Sequence, residues 1–222
     1  MSTDKNMTGL QILMATSNPH RIDYFSRKLA ERGIRLLAPA NLGLSAEAEE
    51  TGQSPADNAQ LKIRSLLKAA ATGTIEMLPI FAMDEGLYLD GVPDELQPGL
   101  FVRRLNGQRM NDEEMIAHYL GLVDRFGKRG ELHGYFLKGI CVGMPADSGR
   151  CFYTFEMKAR RVFTAERSEK VTEGYPLASI QKIPMFDKFK SELNEEEERQ
   201  VVDVENEPIL DFIERTLKFY FL

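Results

Sequence analysis

The pattern of hydrophobic and polar residues differs between the two halves of this chain. In its first half, short apolar runs alternate with segments whose apolar residues recur every three or four positions. Gly33 and Gly73 supply helix stop signals, and Ser54 followed by Pro55 supplies a helix start. The predicted order is therefore strand, helix, strand, helix, strand, given by "LQILMATSN", "PHRIDYFSRKLAERG", "IRLLAP", "SPADNAQLKIRSLLKAAATG" and "MLPIFAM". Such alternation predicts an α/β fold.

The second half begins with one more helix and then becomes rich in strands. Asn111 and Gly127 bound the predicted helix "NDEEMIAHYLGLVDRFG". Two long β-rich segments, "ELHGYFLKGICVGM" and "RCFYTFEMKARRVFTAE", predict a hairpin beside or within the same sheet. An amphipathic helix ends the chain, and the acidic run "NEEEER" before it predicts a solvated helix face. We expect one α/β domain over residues 1–222, with a mixed, twisted central sheet and flanking helices.

Composition and charge narrow the classes of partner. The chain has 222 residues, 43% of them hydrophobic, and a net charge of -6. No apolar run approaches the length of a membrane span, and an acidic protein is not favoured to bind duplex DNA nonspecifically. The first residues lack the pattern of a secretory signal, and Cys141 and Cys151 lack the spacing of metal ligands. These features predict a cytoplasmic protein with no membrane or nucleic-acid partner, whose two cysteines are ordinary strand residues.

The first candidate site is the turn "ATSNPHR" between a strand and a helix. A helix beginning near Pro19 directs its N–H groups and positive dipole end at Ser17 and Asn18, an arrangement that attracts phosphate. Arg21 in the first turn is placed to add a bidentate contact. The alternative interpretation, which the local sequence favours, is that Ser17 or Asn18 only caps the helix.

The second candidate is "EAEETGQSPADNAQLK". Glu50 precedes a Thr-Gly turn, and Asn58 and Lys62 lie four residues apart on one helix face. Solvated loop acids and a surface lysine are the more usual interpretation of such a stretch taken alone.

The third candidate is "FAMDEGLYLDGVP", where Asp84 and Glu85 follow a buried run. We expect the strand to end here, and carboxylates at the carboxyl end of a central strand lie where open α/β sheets bind ligands. Asp84 and Glu50 together would form a site of hard oxygen donors suited to Mg²⁺. A turn made of Asp, Glu and Gly is the competing interpretation.

The order and spacing of these three elements resemble the inosine triphosphate pyrophosphatase family, which hydrolyses non-canonical purine nucleoside triphosphates. The resemblance covers about residues 12–106. Family members carry "ATxNxxK", "EETGxTFxENAxxKA" and "ADDSGLxVDxLxGxPGxxSAR"; the corresponding segments here are "ATSNPHR", "EETGQSPADNAQLKI" and "AMDEGLYLDGVPDELQPGLFVRR".

The resemblance implies a role for each matching residue. Glu50 and Asp84 become the acids that hold Mg²⁺, or Mn²⁺ in its place, and that orient or deprotonate the attacking water. Glu85 is a further candidate acid, since Met83 stands where the family has the first Asp of its "DD" pair. The implied phosphate contacts are Ser17, Asn18, Arg21, Asn58 and Lys62. The resemblance also implies a homodimer, and a phosphate- and metal-binding half, 11–106, separated by a cleft from a base-binding half, 107–222.

The second half departs from the family pattern. In place of the "FGYDP" loop that binds the purine, this chain has "EGYPLASIQKIP", in which Tyr175 is the candidate stacking residue and Ala178 replaces the Asp. Glu198, Asp203 and Val204 stand where the family has Lys, His and Arg. The sequence therefore also allows a catalytically silent nucleotide-binding or partner protein, or a hydrolase of another phosphoanhydride.

Overall fold

The structure is a computed structural model that describes residues 9–70, 75–147 and 149–221. Within these residues the chain forms four α-helices and nine β-strands. The helices are α1 (Pro19–Glu31), α2 (Pro55–Ala69), α3 (Asp112–Phe126) and α4 (Glu195–Phe221). The strands are β1 (Leu10–Met14), β2 (Ile34–Leu37), β3 (Ile80–Leu89), β4 (Arg104–Leu105), β5 (Gln108–Arg109), β6 (Glu131–Ala146), β7 (Gly149–Thr164), β8 (Gln181–Ile183) and β9 (Lys188–Phe189).

Seven of these strands form one mixed sheet in the order β2-β1-β3-β6-β7-β8-β9, while β4 and β5 form a separate ribbon. β1 pairs in parallel with both β2 and β3, whereas β8 pairs antiparallel with β7 and with β9. The long strands β6 and β7 are neighbours in this sheet, as the predicted hairpin requires. The predicted α/β fold with a mixed central sheet is confirmed.

Helix boundaries follow the capping residues that the sequence identified. The hydroxyl of Ser54 accepts a hydrogen bond from the N–H of Asp57 (3.1 Å), and Asn111 forms a capping box with Glu114 at the start of α3. α2 ends at Ala69; the stop predicted at Gly73 lies outside the described residues, as do residues 1–8, on which the absence of a secretory signal was predicted.

The end of β3 was predicted wrongly. The sequence suggested that the strand stops at Asp84, but it continues through Leu89, so both acids lie within it. Leu87 exchanges two backbone hydrogen bonds with Gly99, both 2.9 Å long, and a side chain on Gly86 would meet the Gly99 carbonyl oxygen at 2.9 Å. Gly86 is therefore present for close approach of another segment and does not form the turn that Asp-Glu-Gly suggested.

The chain forms two compact units. The first comprises the described residues within Met1–Asp84, Lys138–Met157 and Asn206–Leu222, and the second comprises Glu85–Leu137 and Lys158–Glu205. The first unit holds two apolar clusters, around Phe25 and Phe81 and around Ile63 and Ile80. The second has its own core, centred on α3 and the buried ring of Tyr119. In the described part of the chain, no helix has the length and apolar character needed to span a membrane.

Candidate active site

The turn between β1 and α1 exposes Ser17 and Asn18 at the carboxyl end of β1. The Asn18 side-chain oxygen accepts hydrogen bonds from the N–H groups of His20 (3.0 Å) and Arg21 (3.2 Å). Of the two interpretations of this turn, the structure therefore shows helix capping for Asn18. The Asn18 oxygen already accepts hydrogen bonds from N–H groups of the first helical turn, so a phosphate at this turn would compete with Asn18 for these donors.

The register of β1 against β3 places this turn close to Asp84. Met14 pairs with Phe81 in the parallel ladder, and the N–H of Ala15 donates to the carbonyl of Phe81 at 2.8 Å. Ser17 and Asp84 each lie three residues beyond that last pair. Because β1 and β3 run parallel, Ser17 and Asp84 lie on the same side of this last pair, in the carboxyl-terminal direction of both strands.

Helix α2 carries Asn58 and Lys62 toward β3. Its start is fixed by the Ser54 cap and by Pro55 in the first helical position, where proline needs no hydrogen-bond partner. The four-residue spacing puts both side chains on one face, one turn apart. A missing side chain at Gly139 of β6 permits this placement, since a Cβ there would lie 2.2 Å from the backbone nitrogen of Ala56.

Four predicted residues, Glu50, Asn58, Lys62 and Asp84, meet in one cluster. The Lys62 ammonium lies 2.7 Å from Asp84 Oδ1 and 3.0 Å from Glu50 Oε1, and it also donates to the Met83 carbonyl at 3.3 Å. Asn58 donates from its amide nitrogen to Asp84 Oδ2 at 2.8 Å. Both Asp84 oxygens are thus held by hydrogen-bond donors.

Exposure differs sharply within this cluster. The side chains of Asp84 and Lys62 are 14% and 16% exposed, whereas that of Glu50 is 52% exposed. Asn58 is only 1% exposed. Asp84 and Lys62 therefore form a partly desolvated ion pair, Glu50 is more exposed beside it, and Asn58 is buried against Asp84 and Gly52.

The donor set fits a divalent cation only in part. Within the described residues there is no group of three His, Cys, Asp or Glu side chains that would hold a metal. Glu50 and Asp84 offer two carboxylates around the Lys62 ammonium. Mg²⁺ commonly uses one or two carboxylates and completes its shell with water and substrate phosphates, so two acids suffice for that kind of site.

Glu85 and Tyr175 belong to the second compact unit. The Tyr175 hydroxyl accepts a hydrogen bond from Gln181 Nε2 at 2.7 Å, and the buried Arg161 guanidinium pairs with Glu205 at 2.6 Å. Burial, with added repulsion from the charges of Glu85 and Glu205, raises the pKa of Tyr175 to about 12. The phenol is therefore neutral at physiological pH.

The acidic start of α4 forms ion pairs at its surface. Glu197 and Glu198 pair with Lys188 and Lys190. Glu198 is exposed and Asp203 is partly buried. The prediction that "NEEEER" forms a solvated helix face is confirmed.

The sequence did not indicate that Asn58 is buried against Asp84, or that it contacts the loop that carries Glu50. Asn58 Oδ1 accepts a hydrogen bond from the Gly52 N–H at 2.8 Å. The spacing of "NAQLK" placed Asn58 and Lys62 on one face, but it carried no signal of their unequal burial.

Fold and site together define an α/β protein with paired carboxylates beside parallel strands. Residues 12–201 match the model of the Ham1 family. The chain belongs to the Ham1 family, which confirms the resemblance drawn from the three motifs.

Individual relatives agree with this assignment. The chain is 32% identical over 103 residues to a protein of Leptospira interrogans named dITP/XTP pyrophosphatase, an alignment covering 46% of this chain and 48% of the relative. A Bacillus subtilis protein of the same name is 26% identical over 191 residues, covering 86% and 89%. The chain thus aligns with about half the length of the Leptospira relative. The structure of a HAM1 protein from Coxiella burnetii has a similar fold, with a TM-score of 0.71 at 21% identity, covering 94% of this chain and 98% of that one.

Proposed function

We propose that this chain hydrolyses nucleoside triphosphates, including non-canonical purine nucleotides such as ITP and XTP, to a nucleoside monophosphate and pyrophosphate. The carrying observation is the convergence of Glu50 and Asp84 on the Lys62 ammonium. A partly buried carboxylate beside a lysine suits chemistry on a polyanionic phosphate chain, because it supplies an acid–base group and a positive charge together. Family membership and the names of the relatives support the same reaction.

In the proposed reaction, a water oxygen forms a bond to the α-phosphorus and the bond from that phosphorus to the bridging oxygen breaks. Pyrophosphate leaves with the electron pair of that bond. Asp84 orients the water and accepts its proton, which then passes to solvent. Lys62, paired with Asp84 at 2.7 Å, offsets negative charge that accumulates on the phosphate oxygens.

Contacts to the phosphate chain come from the first unit. Ser17 is exposed at the start of α1 and Arg21 lies in its first turn. Asn18 keeps its capping bonds and contributes by holding that turn in place. Tyr175 is the proposed stacking residue for the base, because an aromatic ring accepts any base on its face.

Glu50 and Asp84 would hold a divalent cation, Mg²⁺ or Mn²⁺. When bound, such an ion polarises phosphate oxygens and lowers the pKa of water that it binds. Because both carboxylates already pair with Lys62, a bound cation would compete with the Lys62 ammonium for their oxygens. Glu50, which is half exposed, is the residue with room to adjust.

Three further properties belong to this proposal. The family resemblance favours a homodimer, and the composition favours a cytoplasmic location without a nucleic-acid or membrane partner. Mg²⁺ is the proposed physiological ion because two carboxylates and phosphate oxygens are the donors it prefers.

A nucleotide screen tests the proposal. The purified protein is incubated with ITP, XTP, dITP and the common triphosphates in the presence of Mg²⁺ or Mn²⁺, and pyrophosphate and orthophosphate are measured separately. We expect pyrophosphate with at least one triphosphate. Nucleotide binding without turnover would instead identify a catalytically silent homologue. Hydrolysis of another phosphoanhydride, with no triphosphate hydrolysed, would show that nucleoside triphosphates are not the substrate.

A further inference from the structure

We propose that Asn58 is a positioning residue that ties the loop carrying Glu50 to Asp84, in place of the phosphate contact implied by the family resemblance. The catalytic consequence rests on the proposed function. The structural link itself rests only on the contacts that the Asn58 amide makes.

Burial rules out a direct phosphate contact for Asn58 in this conformation. The residue is 1% exposed, so none of its polar atoms is accessible to a ligand from solvent. Its two ends nevertheless have specific partners, since Oδ1 accepts from the Gly52 N–H and Nδ2 donates to Asp84 Oδ2, both at 2.8 Å. A buried amide with partners at both ends holds those partners in a fixed relation.

The chemistry of the two partners fixes the orientation of the amide. A backbone N–H only donates, and a carboxylate only accepts, so the oxygen must face Gly52 and the nitrogen must face Asp84. Aspartate in place of Asn58 would keep the acceptor for Gly52 but present an oxygen to Asp84. An apolar side chain would satisfy neither partner.

The absence of a side chain at Gly52 allows its close contact with Asn58. A Cβ at Gly52 would lie 2.7 Å from Asn58 Oδ1 and 2.9 Å from the Asn58 backbone nitrogen, closer than a side chain can approach. Any larger residue would push the loop away from α2. Glu50 is two residues earlier in this loop, so docking of Gly52 restricts where the Glu50 carboxylate can lie.

Two links therefore join the loop to β3. Lys62 connects the side chains of Glu50 and Asp84, while Asn58 connects the loop backbone to Asp84. The lysine link would have to change if Glu50 and Asp84 held a cation. The asparagine link reaches the loop through the Gly52 backbone N–H and uses no Glu50 atom, so it would preserve the spacing of the two acids.

Two substitutions separate the two halves of the link. Asn58→Asp removes the donor to Asp84 and keeps the acceptor for Gly52. Gly52→Ala displaces the loop while the chain keeps the Asn58 amide, which can still donate to Asp84. Asn206→Asp is the matched control, since it makes the same chemical change at another buried asparagine, whose oxygen faces the Lys138 ammonium at 3.3 Å.

Three measurements are made on the full chain. Hydrogen–deuterium exchange reports protection of the segment containing Gly52, calorimetry with Mn²⁺ and no nucleotide reports cation affinity, and steady-state kinetics report kcat and KM. For Asn58→Asp we expect retained protection at Gly52 and a kcat lowered about tenfold or more at nearly unchanged KM. For Gly52→Ala we expect lost protection and Mn²⁺ affinity weakened about tenfold or more.

The proposal is overturned if Asn58→Asp has the kcat of Asn206→Asp, or if Gly52→Ala keeps both its protection and its Mn²⁺ affinity. Equal loss of melting temperature and activity in all three variants would show that Asn58 is only a core residue. If the parent protein releases no pyrophosphate, the proposed function fails, while exchange and Mn²⁺ calorimetry still decide whether the link exists.

Discussion

Asp84 is the residue on which most of the proposed chemistry depends. It is 14% exposed, and each of its oxygens accepts a hydrogen bond, from Lys62 on one side and Asn58 on the other. Together the two donors fix the plane of the carboxylate. A carboxylate held in this way loses little freedom when it must orient a water molecule.

Replacing Asp84 with Asn should lower kcat by about a hundredfold or more, because the variant keeps the shape of the side chain but removes its charge and its capacity to accept a proton. The fold should be retained, as measured by circular dichroism and melting temperature. Asp90→Asn is the matched control: Asp90 follows the same strand but is exposed and pairs with Arg160. Parental kcat in Asp84→Asn would remove Asp84 from the site.

The helical spacing placed Asn58 and Lys62 on one face of α2, and the resemblance in motifs grouped Lys62 with Glu50 and Asp84. The same reasoning failed at Gly86, where pairing with Gly99 extends β3. It also gave no sign that Asn58 is buried. Both features depend on contacts with segments distant in sequence, which local propensity does not report.

Among the secondary-structure elements, α2 depends on close packing against β6. A Cβ on Gly139 would lie 2.2 Å from the Ala56 nitrogen and 2.4 Å from the Pro55 carbonyl carbon, both backbone atoms at the start of the helix. These atoms cannot rotate away as a side chain can. The helix that carries Asn58 and Lys62 therefore has its position set by a glycine in the neighbouring strand.

Gly139→Ala should lower the free energy of unfolding by about 1–3 kcal/mol and reduce activity as well, because α2 must shift. Gly121→Ala is the comparison. Gly121 lies within α3 with nothing near its Cβ position, and alanine there should stabilise the protein by about 0.5–1 kcal/mol. Urea unfolding measures both. Equal effects of the two substitutions would contradict the packing argument.

Ion pairs of Arg32, the residue that follows α1, join the end of this helix to α4. The Arg32 guanidinium, 16% exposed, pairs with Glu207, Asp211 and Glu214 along one face of α4. Hydrogen bonds from Lys218 and then Arg32 lower the pKa of Glu214 from its ordinary value of 4.5. Because the folded-state pKa is lowered, this stabilisation is present above the unfolded pKa and is lost as the pH falls through the folded value.

Arg32→Met should therefore lower the free energy of unfolding by about 1–2 kcal/mol at neutral pH, and the difference from the parent should shrink below about pH 4.5. Arg27→Met, an exposed arginine on the same helix, should change stability by less than about 0.5 kcal/mol. Urea unfolding at several pH values measures the effect. A difference that grew with acidification would contradict the assigned sign.

At the scale of the whole molecule, base selection is the part of the proposed function in which this chain departs most from the family pattern. By the family resemblance, Ala178, Asp203 and Val204 stand where residues that read the purine edge are expected, which leaves Tyr175 as the proposed stacking residue. Stacking accepts any base, whereas a site that hydrogen-bonds one base edge rejects others by large factors.

Discrimination between ITP and ATP should consequently be weak, with a ratio of kcat/KM below about a thousand. Parallel steady-state measurements with the two nucleotides provide this ratio. A larger ratio would show that other residues read the base, and the buried Arg161 and Gln181 in the second unit would be the first to substitute.

The order of the longer strands and helices could be predicted because these elements carry their own period and caps, as in α1 and α3, whereas the short strands β4, β5, β8 and β9 were not predicted. The second half of the chain was harder to interpret in functional terms. Its motif residues are replaced, and the environment of Tyr175 is assembled from Glu85, Arg161, Gln181 and Glu205, which lie far apart in the sequence.

The most direct test of the central claim is to carry out hydrolysis in water enriched in ¹⁸O, using the best nucleotide from the screen. Mass spectrometry then locates the label in the products. Attack of water on the α-phosphorus predicts one ¹⁸O in the nucleoside monophosphate and none in the pyrophosphate. Label in pyrophosphate, or in released orthophosphate, would contradict the proposed reaction at the Glu50–Lys62–Asp84 cluster.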